Sequence, residues 1–385
     1  MSSLINAVRF ALLLFSVAGA YGTWYIFINN GSADYMTRIR DVGPRLLPGT
    51  KEPLKTVFTG IPAVDYQLTI LTLCFWEQVD GSNPSSSLFC FHFATQAACG
   101  WGLLLLESLR QGNRWRIISF LGVWGFLIQN AAYAVILPIY LTVHLWTSPL
   151  ISSRRLSHFL VDIPNTAAVF GSIILGFVLP TIVMSLPAPS VVNFEQKQMY
   201  IAIWQFFPVW VSLVQAVLPY LLPKAEVLTT SESPNRQALA TMRVLYIGLL
   251  TFAGIGQAST ATLLAASKFF PGLFAPEFRG TFNPAKVFQP TAITPSTKMP
   301  SIGAGAHQLL QYDEFIGSGA MVLWSTALIA NTYRGSRSRQ SVASLVAQGI
   351  AAVLLTGPLG YAAACIWARD ELVIAEAGED AKKAN

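Results

Sequence analysis

The chain has 385 residues, 53% of them apolar and only 11% charged, with a formal net charge of +6. A soluble globular domain carries about 25% charged residues, so this sequence lacks the charge to cover a water-facing surface. Its basic residues are scattered through loops and tail, which fits anionic lipid head groups and argues against a nucleic-acid partner.

Windows of about 20 apolar residues, each long enough to cross a hydrocarbon core of about 30 Å, predict an all-α polytopic transmembrane helical bundle. The expectation is eight or nine membrane helices in a single membrane domain, 1–385. The first, 4–28, contains Ala18-Gly19-Ala20, which resembles a signal cleavage site. The apolar run continues through Trp24, Tyr25 and Phe27, however, so a retained helix is expected. A basic loop or interfacial segment, 29–60, follows with Arg38, Arg40, Arg45, Lys51 and Lys55. The remaining predicted spans are 62–79, 87–109, 117–141, 164–186, 199–222, 239–266, 315–333 and 342–367. Asp65, Glu77 and Asp80 make 62–79 the weakest.

Between 267 and 311 lies a long Pro- and Phe-rich loop whose prolines, from Pro271 to Pro300, are spaced too closely for a helix. It reads equally as a lid over a site or as a segment lying on the membrane. Residues 369–385 form a charged tail. The basic turns at Arg110, Arg114 and Arg116 and at Arg334, Arg337 and Arg339 fall on opposite sides of a nine-span layout, which leaves orientation open. The sequon Asn30-Gly31-Ser32 matters only if its loop is lumenal. Cys74, Cys90, Cys99 and Cys365 lie in apolar stretches without CxxC spacing and read as small core residues.

Ionisable groups inside a membrane segment are expensive, and each is therefore a candidate for function. Glu77 and Asp80 are three apart, on one helical face at the end of 62–79. Two carboxyls this close in a dry site split their proton affinities and leave one able to donate a proton. The alternative is that they mark a helix end at the water interface. A second pair, Asp313 and Glu314, stands after Gln311 and Tyr312 where the long loop enters the span at 315, with His307 nearby. There Asp313 is either functional or a first-turn cap. Glu107 beside Arg110 reads as local pairing at a membrane edge. Many aromatic residues lie near the carboxyl candidates, among them Tyr66, Phe75, Trp76, Phe91, Trp101, Tyr133, Trp204, Trp210 and Trp324. They form either interfacial belts or the walls of one cavity that stabilises a carbocation, about 0.5–2 kcal/mol per ring when dry. His92, His144 and His158 lack metalloenzyme spacing, and DDxxD, DxDD, GxxxxGK[ST] and HExxH motifs are missing, so no metal and no cofactor is expected.

Trp76-Glu77 with Asp80, the stretch from Phe91-His92 to Glu107-Ser108 and Arg110, and the late Tyr312-Asp313-Glu314 element resemble the fungal integral-membrane terpene cyclases of meroterpenoid pathways. The likeness covers the layout from about residue 60 to 367 and is nearer the longer branch of ascofuranone-like and macrophorin-like pathways. It implies a multi-pass membrane enzyme, of the endoplasmic reticulum. The implied chemistry is isomerase- or lyase-type: protonation of a terminal epoxide or alkene on a prenylated aromatic substrate. Carried over residue by residue, the implied acid pair is Glu77 and Asp313, with Asp80 and Glu314 as neighbours. The rings named above, with His92, His307 and Tyr312, are the candidate substrate contacts. A transporter using the same carboxyls as a proton relay is the competing class, and a scaffold the third. Substrate head group, ring pattern and oligomeric state are left open.

Overall fold

The computed structural model describes residues 3–222, 234–290, 294, 296–334 and 342–384. In chain order, α1 spans Ser3–Asn29, α2 Ser32–Asp41, α3 Pro62–Val79, α4 Pro84–Leu109, α5 Leu121–Ala131 and α6 Tyr133–Thr147. They are followed by α7 Leu156–Ser185, α8 Phe194–Trp204, α9 Phe207–Leu221, α10 Pro234–Phe269, α11 Ile302–Arg334 and α12 Val342–Ala384. Among the described residues, helix is joined only by loops and one isolated bridge, Leu46 to Pro53.

Local chemistry explains where several of these helices begin. Pro84 occupies the first turn of α4, where its missing N–H is no loss, and the Asn83 side chain accepts from the Ser86 N–H. Asn193 and Gln196 form a reciprocal capping box at the start of α8. Both α1 and α7 carry a π-helical turn, at Tyr21–Tyr25 and Ile174–Val178.

Among the described residues six helices, α1, α4, α7, α10, α11 and α12, are long and apolar enough to cross a membrane, which fits a multi-pass membrane protein. A seventh is reached if α8 and α9, bent by 66°, form one span. The expected count of eight or nine exceeds this for identifiable reasons. The predicted span 117–141 is divided at Ala132, whose φ of +78° ends α5 and starts the short α6. Segment 62–79 is a helix, α3, but Asp65, Gln67, Glu77 and Gln78 together make it less apolar than these six.

Two expected boundaries also move. The helix predicted from 315 begins at Ile302, directly after Pro300 and Ser301, so Asp313 and Glu314 are mid-helix rather than first-turn residues. The loop before it is packed, not free. Val287 is fully buried, with its carbonyl accepting from His307 Nε2 at 3.0 Å and from Gln311 Nε2 at 2.9 Å, and Lys298 Nζ donates to Asn29 O at 2.9 Å. The expected charged tail from 369 continues α12 as helix, and Arg369 and Asp370 are buried. Within the sequon, Asn30 is buried and its amide donates to Gln308 Oε1 at 2.9 Å, which commits that side chain to packing.

The apolar core runs through α4, α6, α10, α11 and α12, with Leu103, Leu137, Leu249, Met321, Trp324 and Ile366 at its centre. At one end it encloses an ionic cluster rather than a surface pair. Arg110 Nε meets Glu107 Oε1 at 2.6 Å, and Arg110 Nη2 meets Asp370 Oδ2 at 2.7 Å. Arg369 Nη2 reaches Glu107 Oε1 at 2.7 Å and Asp370 Oδ1 at 2.9 Å. The Tyr246 hydroxyl donates to Asp370 Oδ2 at 2.7 Å. Four charges of both signs are thereby matched inside the bundle, the arrangement a buried ion pair requires.

Candidate active site

A cavity of about 820 Å³ lies between α3, α4, α5, α6, α7, α8, α9, α10 and α11. Its walls are chiefly apolar and aromatic. Phe75, Phe91, Trp101, Tyr133 and Trp204 line it, as expected from the sequence, and so do Phe93, Phe177, Phe207 and Phe252. The rings are in mutual contact around the space: Phe75 and Trp204 stand 5.2 Å apart between centroids, Trp204 and Phe207 5.4 Å, Trp101 and Phe207 5.3 Å, and Phe93 and Tyr133 5.9 Å.

Asp313 is the carboxyl on this wall. It is buried, and its Oδ1 accepts from the Ala134 backbone N–H at 2.7 Å. That amide belongs to the first turn of α6, just after the left-handed Ala132, so the carboxyl caps α6 from a different helix. An acceptor oxygen is all that this cap requires, and the same bond fixes the rotamer of Asp313 at the cavity edge.

Glu77 stands elsewhere. Phe75, Gln78 and Val79 turn one face of α3 to the cavity, and helical periodicity turns Glu77 away. Its Oε2 accepts a short bond from the Gly303 N–H in the first turn of α11. A Cβ on Gly303 would come within 2.7 Å of that carboxyl, so only glycine admits it this close. Asp80 forms a turn, with Oδ1 accepting from the Ser82 N–H at 2.8 Å and from its hydroxyl at 2.6 Å. Glu314 Oε1 lies 3.0 Å from His92 Nδ1, and His92 Nε2 lies 2.9 Å from Gln257 Oε1, a chain that crosses α11, α4 and α10 outside the cavity.

The other expected contacts are dispersed. Trp76 packs against Phe194, Tyr66 lies under the Arg40 guanidinium at 4.1 Å, and Trp210 donates to Ile203 O at 2.9 Å. His307 packs on Phe89, Tyr312 fills the space over Gly22, and the Trp324 indole donates to His144 Nδ1 at 3.2 Å. Of the described residues in 267–311, the segment read as a possible lid, Leu310 alone lines the cavity, and it belongs to α11; Phe288 from the loop packs on His92 of α4 outside the cavity.

The sequence carries a CtvD domain match over residues 8–374. The chain belongs to the CtvD-domain family. Relatives of this CtvD-domain chain include Terpene cyclase ascI of Acremonium egyptiacum, 30% identical over 85% of this chain and 83% of its own length. Terpene cyclase janA of Penicillium janthinellum is 27% identical over 91% of each. Terpene cyclase ctvD of Aspergillus terreus is 27% identical over 92% of this chain and 97% of its own. No solved structure matches.

Sequence reasoning missed Phe177, Val178, Ile182 and Phe252 on the wall of the CtvD-domain cavity. All four lie on long apolar helices in which periodicity separates no face, so nothing in the pattern distinguishes cavity from lipid. Gln129 both lines the cavity and donates to Gln205 O at 3.1 Å.

Proposed function

We propose that this chain is a multi-pass membrane terpene cyclase, of the endoplasmic reticulum, acting on a prenylated aromatic precursor. Asp313 protonates a terminal epoxide, or an alkene, of a farnesyl-type chain folded in the cavity. The observation that carries the reading is a buried carboxyl, held by backbone N–H groups at the start of α6, on the wall of a chiefly aromatic and apolar chamber. Its volume suits a drug-sized ligand, for which pockets run from about 300 to 1,000 Å³.

In the step proposed, the Asp313 carboxyl hydrogen passes to the epoxide oxygen as the C–O bond breaks and that oxygen becomes a hydroxyl. The adjacent alkene π pair closes a carbon–carbon bond onto the cationic carbon, and the positive charge moves along the chain. Loss of a proton to a base ends the sequence and leaves the atoms balanced. Each ring facing the cation contributes about 0.5–2 kcal/mol in a dry site, and the apolar walls keep out water that would trap it. Asp313 must carry its proton when substrate arrives, and lipid supplies the substrate by partition. Glu77 acts at one remove by anchoring the start of the helix that bears Asp313.

The test is conversion of an epoxy-farnesylated phenol by membranes containing the protein. Asp313→Asn, which keeps size but loses the acidic hydrogen, is expected to lower cyclisation by about 10²- to 10⁴-fold. Glu77→Gln retains an oxygen to accept the Gly303 N–H and is expected to lose less than about tenfold. Full activity of Asp313→Asn, or no ring product from the unmutated protein, overturns the proposal.

A further inference from the structure

All four serine and threonine side chains on the cavity wall have spent their hydroxyl hydrogen on a backbone carbonyl. Ser87 donates to Gln78 O at 3.0 Å, Thr95 to His92 O at 2.8 Å, Thr181 to Phe177 O at 2.7 Å and Ser185 to Thr181 O at 2.8 Å. A hydroxyl has one hydrogen and two lone pairs, so these side chains are left with acceptor capacity only. Thr181 uses part of that capacity on the Trp204 indole N–H at 2.8 Å, and Thr95 lies two turns deeper along α4 than Ser87. Ser87 and Ser185 therefore remain as acceptors near the cavity's outer end.

That end is well defined. Ser87 is in the first turn of α4 and Ser185 is the last residue of α7. Lys197 Nζ donates to Val79 O at 2.7 Å and to Leu186 O at 2.8 Å, so the ends of α3 and α7 meet within reach of one ammonium. The two serines flank this junction, one bonded to Gln78 O and the other next to Leu186. Gly81, Ser185 and Pro187 line the cavity here and are exposed, so the rim opens to the outside. Gln78 Nε2 donates to Gly303 O at 3.1 Å, which sets the start of α11 level with the rim, and Asp313 lies ten residues, about 15 Å, further along that helix.

We infer that the rim between Ser87 and Ser185 is a subsite for a hydrogen-bond donor on the substrate's head group, an O–H or N–H, with the prenyl chain running inward from it toward Asp313. A head group presenting only acceptors meets lone pairs there and is disfavoured, because its acceptors stay unpaired. The inward direction of the chain rests on the cyclase reading; the donor preference rests on the serines alone.

The experiment measures binding of two probes that cannot be ring-opened, a farnesylated phenol and its methyl ether, to the full chain in lipid nanodiscs. The readout is quenching of tryptophan fluorescence, since Trp101 and Trp204 line the cavity. The phenol is expected to bind about fivefold to tenfold tighter than the ether. In Ser87→Ala/Ser185→Ala that preference should vanish through weaker phenol binding, with ether binding unchanged as the sign of an intact fold. Should the double variant lose the ether as well, each single variant carries the same comparison. Equal affinities in the unmutated protein, no binding of either probe, or a preference undiminished by the substitutions overturns the subsite. If the preference behaves as expected but the epoxide yields no ring product, the cyclase reading fails and the donor subsite stands.

Discussion

Gly317 shows how closely single residues shape the cavity. A Cβ there would lie 2.1 Å from Tyr133 Cε1, a distance no real contact adopts, so the ring occupies space that any side chain would contest. Tyr133 lines the cavity one helix from Asp313, and Gly317→Ala must push its ring toward the space a folded substrate needs. The expected result is at least a tenfold rise in KM for the epoxide substrate, or an altered product ratio, with thermal stability changed by about 1–3 kcal/mol as for other overpacked cores. Product analysis by mass spectrometry together with a melting curve separates the two effects; unchanged kinetics and products exclude the crowding argument. At this scale the sequence was informative about residue type and poor about placement. Of the four carboxyls singled out, only Asp313 lines the cavity, and what separates it from Glu77 is a contact with Ala134, 179 positions away in the chain. The aromatic candidates divided in the same way, because a ring's usefulness depends on which face of an apolar helix it occupies.

The elements depend on long-range polar contacts at their interruptions. α12 is broken at Gly357, whose φ of +73° is open to glycine, and Pro358 removes a further N–H. Gln96 from α4 repairs the gap: its Oε1 accepts from the Leu359 N–H at 3.0 Å and its Nε2 donates to Thr356 O at 3.1 Å. Gln96→Leu leaves those buried groups unmatched and is expected to destabilise the protein by about 1–3 kcal/mol, seen as a lower melting temperature in detergent. A variant that melts with the unmutated chain would show that the break needs no clamp. The same logic explains why the span predicted over 117–141 is two helices. Ala132 carries no turn signal in the sequence, since alanine is a strong helix former; the break is held by Asp313 from α11. The start of α11 was more accessible. Pro300 and Ser301 are ordinary helix-start residues, but the glycines at 303 and 305 concealed the helix that follows.

On the scale of the whole molecule, membrane character and family resemblance were legible from composition and short motifs, and the CtvD-domain match agrees with both. The ionic cluster was not, because Glu107 and Arg110 look like a membrane-edge pair until Arg369 and Asp370, some 260 positions away, are brought beside them. It ties α4 to α12, and through Tyr246 to α10. Removing one partner leaves an uncompensated charge in the interior, so Glu107→Gln is expected to destabilise by about 3–5 kcal/mol. Thermal unfolding of the purified protein checks this, and a loss below about 1 kcal/mol would mean the cluster is effectively solvated. Activity measured well below the melting point should change far less, since none of these charged groups lines the cavity.

The bond from Asp313 to Ala134 serves two masters, because the group proposed to start the chemistry is also the stopper that lets the polypeptide change direction at Ala132. Relocating that acid up or down its helix would undo the corner. An evolving lineage seeking a different carbon skeleton is therefore steered toward recarving the aromatic lining and leaving the ignition point where it stands.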